Sequence, residues 1–231
     1  MQPNSAAVPV TTDDWPYLYQ QGRWIPRTYY SLGILVILVA VGLYWQIPES
    51  RRQAPSLFFF SMGAGFLLLE TQVISRLALF FGTTWQVNGI VISALLVALL
   101  LANLLVERSR KPLPRPWILA ALLAGLALAY GLPLNRIPGS PAFAGGVATA
   151  VFAIPVFFAG ILFALEFRAV ESPSAALGAN MLGAVAGGLL ENLSLVFGMR
   201  ALLLIAIGLY CLAGVGLRFR VPQKTAVPAE G

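Results

Sequence analysis

Apolar runs of about twenty residues recur along this chain, and each is long enough to cross the hydrocarbon core of a bilayer as an α-helix. Seven can be read, from Tyr30 to Ile47, Ser56 to Phe81, Trp85 to Val106, Trp117 to Leu134, Ala142 to Glu166, Ser174 to Phe197 and Met199 to Leu217. In hydrocarbon a segment must satisfy its own backbone N–H and C=O groups, and an isolated apolar run does so only as a helix. The expected fold is therefore all-α, a polytopic transmembrane helix bundle of about seven spans over residues 30–217. Residues 1–29 read as an N-terminal tail or interfacial segment and 218–231 as a basic C-terminal tail.

The rest of the composition narrows the chemistry. Of the 231 residues, 58% are apolar and 10% are charged, against roughly 45–50% and about 25% in a soluble domain. A soluble globule, a disordered chain and a disulfide scaffold are excluded, the last because Cys211 is the only cysteine. Without histidine there is no histidine general base and no histidine-containing zinc site. The aspartates, Asp13 and Asp14, both lie in the tail, so paired intramembrane aspartates are excluded too. Gly63 and Gly65 sit inside an apolar run, where a nucleotide-binding glycine loop has no strand to follow. No catalytic residue, metal ligand or cofactor is expected.

Proline and arginine punctuate the spans. Pro48 and Pro55 bracket the first loop, Lys111 to Pro116 forms a rigid basic linker, and Asn135 to Pro141 is rich in turn residues. The second span is long enough to tilt, the fourth is interrupted near its end by Gly131 and Pro133, and Pro155 lies within the fifth. A tight turn at Gly198 predicts that the last two spans form an antiparallel hairpin. With seven spans, four Lys/Arg fall on the N-terminal side and ten on the opposite side, leaving out Arg76 inside a span. The basic side faces the cytoplasm by the positive-inside rule, which puts the N-terminus outside and the C-terminus inside. The net charge of +6 is mostly this asymmetry, and no nucleic-acid partner is expected.

Polar residues inside the spans are costly, at least about 2.5–3.5 kcal/mol for a charge near the bilayer centre. In the second span these are Glu70, Gln72 and Arg76. Glu70 and Arg76 are six residues apart, about 120° in azimuth and about 9 Å in rise, and do not form a simple pair. Gln72 is four residues before Arg76 and within reach of it. Glu70 needs a partner on another helix, a water-filled cavity or a proton. In the third span Asn88 and Asn103 share roughly one face and mark the ends of a buried seam. Glu107 and Glu166 lie at span ends within reach of water. In the sixth span Ala176, Asn180, Gly183, Gly187, Glu191 and Ser194 recur every three or four residues and fall on one helical face. Gly183 and Gly187 form a GxxxG step that lets another helix approach closely, with Asn180 and Glu191 able to hydrogen-bond across the contact.

Four stretches carry a family resemblance: Thr12 to Tyr19 followed by Ile25-Pro26, Gly65 to Glu70, Leu79 to Asn88, and Leu100 to Val106. Together they resemble the membrane part of bacterial spermidine-synthase-like fusion proteins, most closely over residues 12–110 and more loosely over the sixth span. In that family a soluble aminopropyltransferase- or methyltransferase-type domain is joined to transmembrane helices. The chain lacks the soluble domain, so the resemblance carries over no catalytic residue. It implies a stand-alone C-terminal membrane half in the bacterial cytoplasmic membrane, as a separate subunit, a split gene product or a truncated frame. It also implies that residue 12 lies on the cytoplasmic side, opposite to the charge count.

Three functions follow as expectations. The first is a non-catalytic integral membrane subunit or anchor domain of a spermidine-synthase-like system, binding a protein partner or a second copy through helix faces and loops. The second is a small-molecule transporter or channel using Glu70, Arg76 and Glu191. The third is a structural subunit of a larger membrane complex. In each the lipid bilayer is the first partner.

Overall fold

The computed structural model describes residues 12, 14–17, 20, 22–46, 56–81, 85–109, 111–132 and 140–218. Its elements are α1 (Arg27–Gln46), α2 (Leu57–Phe81), α3 (Trp85–Arg108), α4 (Arg115–Gly131), α5 (Pro141–Phe167), α6 (Pro173–Glu191), the single turn α7 (Ser194–Phe197) and α8 (Met199–Arg218). Among the described residues there is no strand, only an isolated bridge between Thr12 and Trp15. Five stretches are long and apolar enough to cross a membrane: Leu57–Ala78, Val91–Arg108, Phe143–Phe167, Pro173–Phe197 and Met199–Leu217. Arg27–Gly42 and Arg115–Gly131 are apolar but shorter.

Helix ends follow their local chemistry. Proline occupies the first turn of α4, α5 and α6, where its missing N–H costs no intrahelical bond. Ser140 caps α5 by accepting a hydrogen bond from the Phe143 N–H at 3.3 Å. α5 continues through Pro155. The α4 backbone lies close to that proline at Gly125, where an added Cβ would come within 3.1–3.3 Å of Ile154 and Pro155.

α2 is the hub, with α6, α8 and α5 packed around it. α6 runs parallel to it, Gly183 abutting the Phe60 carbonyl and Gly187 the Ala64 carbonyl, while Gly63 of α2 abuts the Asn180 carbonyl. α8 runs antiparallel, with the Tyr210 ring over Gly65 and Gly216 beside Phe58. α5 closes the third side through Phe163 and Phe167, which stack on each other and meet Phe59 edge-on. Beyond it, α3 lies parallel to α5, with Gly160 against Leu99 and Ala102, and α4 lies antiparallel to α5. The last two spans run antiparallel to each other as expected, but they do not pack as a hairpin: α6 and α8 make no extensive contact with each other, because each packs against α2.

The basic ends of α3, α4 and α5 are tied together. Arg115 at the start of α4 pairs with Glu166 near the end of α5, and Arg168 Nη1 donates to the Val106 carbonyl of α3 at 2.8 Å. Glu166 is only 3% exposed. The expectation that it sits in water is corrected, because Arg115 and the α4 terminus fold over it. Arg115→Gln should destabilise the bundle by about 1–3 kcal/mol, since a buried carboxylate loses one of its partners. Glu166→Gln should cost less, since the half-exposed Arg115 turns back to water. Parallel thermal unfolding in detergent checks the order, and equal losses would show that the pair is not electrostatically buried.

α1 stands apart. From Leu32 to Val41 most of its apolar side chains are exposed, and it packs extensively on no other helix.

Candidate functional site

The polar residues converge where α6, α7 and α8 meet α2, beneath a clasp from the N-terminal segment. That segment folds tightly. Thr12 and Trp15 exchange backbone hydrogen bonds, and Thr12 Oγ1 accepts a further one from the Trp15 N–H. The turn delivers Trp15 into the bundle, where it is 1% exposed and its indole Nε1–H donates to the Leu195 carbonyl at 2.8 Å. Tyr17 packs edge-on against Trp15. Its hydroxyl bonds Ser194 Oγ at 2.5 Å and lies 3.3 Å from Met199 Sδ.

Asp14 completes the clasp by capping α8 from the far end of the chain. Its carbonyl accepts from the Met199 N–H and its carboxylate from the Arg200 N–H, both at 2.7 Å. A carboxylate at a helix N-terminus satisfies orphan donors and meets the positive end of the helix dipole. Gly198 makes this approach feasible. Its φ is +89°, and a Cβ there would lie 2.6 Å from Asp14 Oδ2.

Directly beneath, Ser194 Oγ donates to the Glu191 carbonyl at 2.6 Å, and Thr71 Oγ1 of α2 donates to Glu191 Oε2 at 3.3 Å. Gln72 Nε2 donates to the Met199 carbonyl of α8, while its Oε1 is buried without a hydrogen-bond partner. Thus Gln72, Glu191 and Ser194, singled out in the sequence, meet in one place, together with Asp14, Trp15, Tyr17 and Thr71.

The other candidates lie elsewhere. Ala176, Gly183 and Gly187 are buried in the α2–α6 seam, and Asn180 supplies the backbone carbonyl under Gly63. Ser194 is not on the same helix as that stripe, because α6 ends at Glu191 and a turn at Asn192–Leu193 precedes α7. Gln72 does not receive a hydrogen bond from Arg76, since its acceptor oxygen is unpaired and its amide is drawn to α8. Asn103 is exposed rather than buried in a seam, because α3 meets α5 through Leu99 and Ala102 instead. The Asn88 side chain lies outside the described residues. Glu70 is half-buried on α2 and makes no hydrogen bond or ion pair among the described residues.

Tyr17 carries the one titration that reads out the clasp. Burial pushes its phenol above the ordinary tyrosine value, and nearby Glu191 adds to the rise against the opposing Ser194 bond. A raised pKa favours the neutral phenol in the folded state. Its contribution is complete below the unfolded value of about 10 and is lost as pH rises through the folded value. Alkaline titration should therefore release the clasp, and Tyr17→Phe should remove that component. Tyrosine absorbance at 295 nm checks it; a Tyr17 titrating like a free phenol would contradict the burial.

Among the described residues no group of three or more His, Cys, Asp or Glu could hold a metal ion. Ser194 bonds a backbone carbonyl and a phenol, with no base aligned on it. The arrangement is one of cross-linked helices: an all-helical chain with several helices fit to span a bilayer, the class of integral membrane proteins. Compared with known protein families, curated proteins and solved structures, the chain matches none of them.

Proposed function

We propose that this chain is a non-catalytic integral membrane subunit or anchor that holds a protein partner at the membrane, as in a spermidine-synthase-like system. The observation that carries the reading is how the polar groups are used. Gln72, Thr71, Glu191 and Ser194 join α2, α6, α7 and α8 to one another and to the N-terminal clasp. Groups that cost so much in hydrocarbon are committed to a rigid joint, which suits a platform. The reading takes α1 and α4 as two shorter spans, giving seven, in a bacterial cytoplasmic membrane. The basic ends near Arg108, Arg115 and Arg168 then face the cytoplasm. A soluble nucleotide-using partner would meet those ends, and the exposed α1 supplies a helix face within the bilayer for a membrane partner. Affinity purification from the native membrane should recover a soluble αβ partner in fixed ratio. Recovery of this chain alone, under conditions that preserve other complexes, would sink the proposal.

One observation favours transport as a second reading: the carboxyl of Glu70 has no hydrogen bond or ion pair among the described residues. It predicts that Glu70→Gln abolishes solute flux in vesicles while leaving unfolding unchanged. On the anchor reading the same variant is as stable as wild type or more so, since a costly charge has gone, and partner recovery is unaffected.

A further inference from the structure

The basic end of the bundle holds a cleft of about 280 Å³ between the last turns of α3 and α5, lined by Asn103, Val106, Glu107, Phe163, Ala164, Phe167 and Arg168. Its floor is apolar, with the stacked rings of Phe163 and Phe167 at its centre. Its rim carries one anion and one cation that do not pair with each other. Glu107 makes no hydrogen bond or ion pair among the described residues, and neither does the Asn103 side chain. Arg168 spends one N–H on the Val106 carbonyl. A guanidinium carries five donors, and the other four make no hydrogen bond among the described residues.

A carboxylate and a guanidinium lining one cleft without pairing match a molecule that carries both opposite charges. The level in the fold sets where that molecule comes from. Val106 and Glu107 precede the end of α3, Phe167 ends α5, and both helices terminate together at the charged face of an apolar bundle. That is the depth of lipid headgroups. We infer that the cleft binds a zwitterionic phosphate–amine headgroup, that of a phosphatidylethanolamine. The phosphate takes the free N–H groups of Arg168, for which the planar guanidinium is well suited. The primary ammonium donates to the Glu107 carboxylate and to Asn103 Oδ1. The glycerol and upper acyl carbons lie on Phe163, Phe167, Ala164 and Val106. A quaternary ammonium has no N–H to give Glu107, and an anionic headgroup leaves Glu107 unpaired and repelled. This assignment does not depend on whether the protein anchors a partner or moves a solute.

The test uses the full chain in nanodiscs of phosphatidylcholine doped with a spin-labelled or mass-tagged second lipid. Retention through delipidation is read by native mass spectrometry. Wild type should retain phosphatidylethanolamine at least tenfold over phosphatidylglycerol and over phosphatidylcholine. Glu107→Gln, on an exposed side chain, should cut that preference to near unity. Glu107→Lys should reverse it in favour of phosphatidylglycerol, a gain that misfolding does not produce. Arg168→Gln should weaken retention of both phospholipids. Retention of phosphatidylglycerol or phosphatidylcholine by wild type equal to that of phosphatidylethanolamine overturns the assignment, as does an undiminished preference in Glu107→Gln. Displacement by soluble phosphoethanolamine at the concentration of the lipid overturns the lipid source and gives the cleft to a soluble zwitterion.

Discussion

Gly183→Ala should cost the bundle about 3 kcal/mol or more, an unusual penalty for adding one methyl group. Overpacking a core ordinarily costs about 1–3 kcal/mol, because side chains can shift. Here the methyl has no side chain to displace. An ideal Cβ at Gly183 lies 1.9 Å from the Phe60 carbonyl oxygen, and one at Gly63 lies 2.0 Å from the Asn180 carbonyl oxygen. Both obstacles are backbone, so relief requires α2 and α6 to separate along the seam. Separation in turn loosens the Thr71–Glu191 bond near its far end. Gly63→Ala should behave alike. Gly178→Ala on the same helix is the control: its Cβ meets nothing within 4 Å, and replacing a helical glycine there should be neutral or stabilising. Unfolding in a graded detergent series, followed by circular dichroism, measures all three. A Gly183→Ala protein as stable as Gly178→Ala would mean that the helices are not in backbone contact.

Trp15→Ala should release the N-terminal clasp, with a loss near 3 kcal/mol. Truncating a buried tryptophan typically costs about 3–5 kcal/mol. The lower end applies because residues 12–17 can detach locally, and a detached segment caps the loss at its own docking energy. The consequence is larger than the segment, since Asp14 leaves with it and the first N–H groups of α8 lose their acceptors. Trp15→Phe separates the contributions: it keeps an aromatic ring in the pocket and loses the bond to the Leu195 carbonyl, about 1 kcal/mol. Limited proteolysis in detergent is the measurement. The alanine variant should be cut rapidly near Arg23 and Arg27, wild type slowly and the phenylalanine variant in between. Identical cleavage rates would show that the clasp is not held by Trp15.

Helix positions were legible because an apolar run long enough to cross hydrocarbon has the helix as its natural form, and five of the seven expected spans are helices long and apolar enough to cross a membrane. The helices that the sequence placed at Ser56–Phe81 and Trp85–Val106 occur at Leu57–Phe81 and Trp85–Arg108. The small face of α6 was legible for a similar reason, since glycines at helical spacing have few other uses in an apolar run. The clasp was not. Trp15 and Tyr17 stand in a polar, proline-containing stretch, and nothing in periodicity announces that one will be buried and the other half-buried against residues some 180 positions away in sequence. The burial of Glu166 was not legible, because position along a helix says how near its end a residue lies, not whether another terminus covers it. Arg115 does the covering, and it follows a proline linker whose path is set by tertiary packing. The hairpin is half right for a related reason: a turn at Gly198 fixes that the chain reverses there, but α2, far away in sequence, takes the packing faces of both helices.

The α2–α6 seam also sets a timetable for making the protein. Phe60 and Gly183 are about 120 residues apart, so at roughly 5–20 residues per second α6 leaves the ribosome some 6–24 seconds after its docking face on α2. During that interval Gly63 and its neighbours face lipid or the insertion machinery, and α8 arrives later still. The clasp closes last of all, although residues 12–17 are synthesised first, since Met199 and Arg200 must exist before Asp14 can cap them. A nascent chain arrested before residue 173 should therefore present both the bare α2 groove and a loose N-terminus to whatever quality-control protease patrols the membrane.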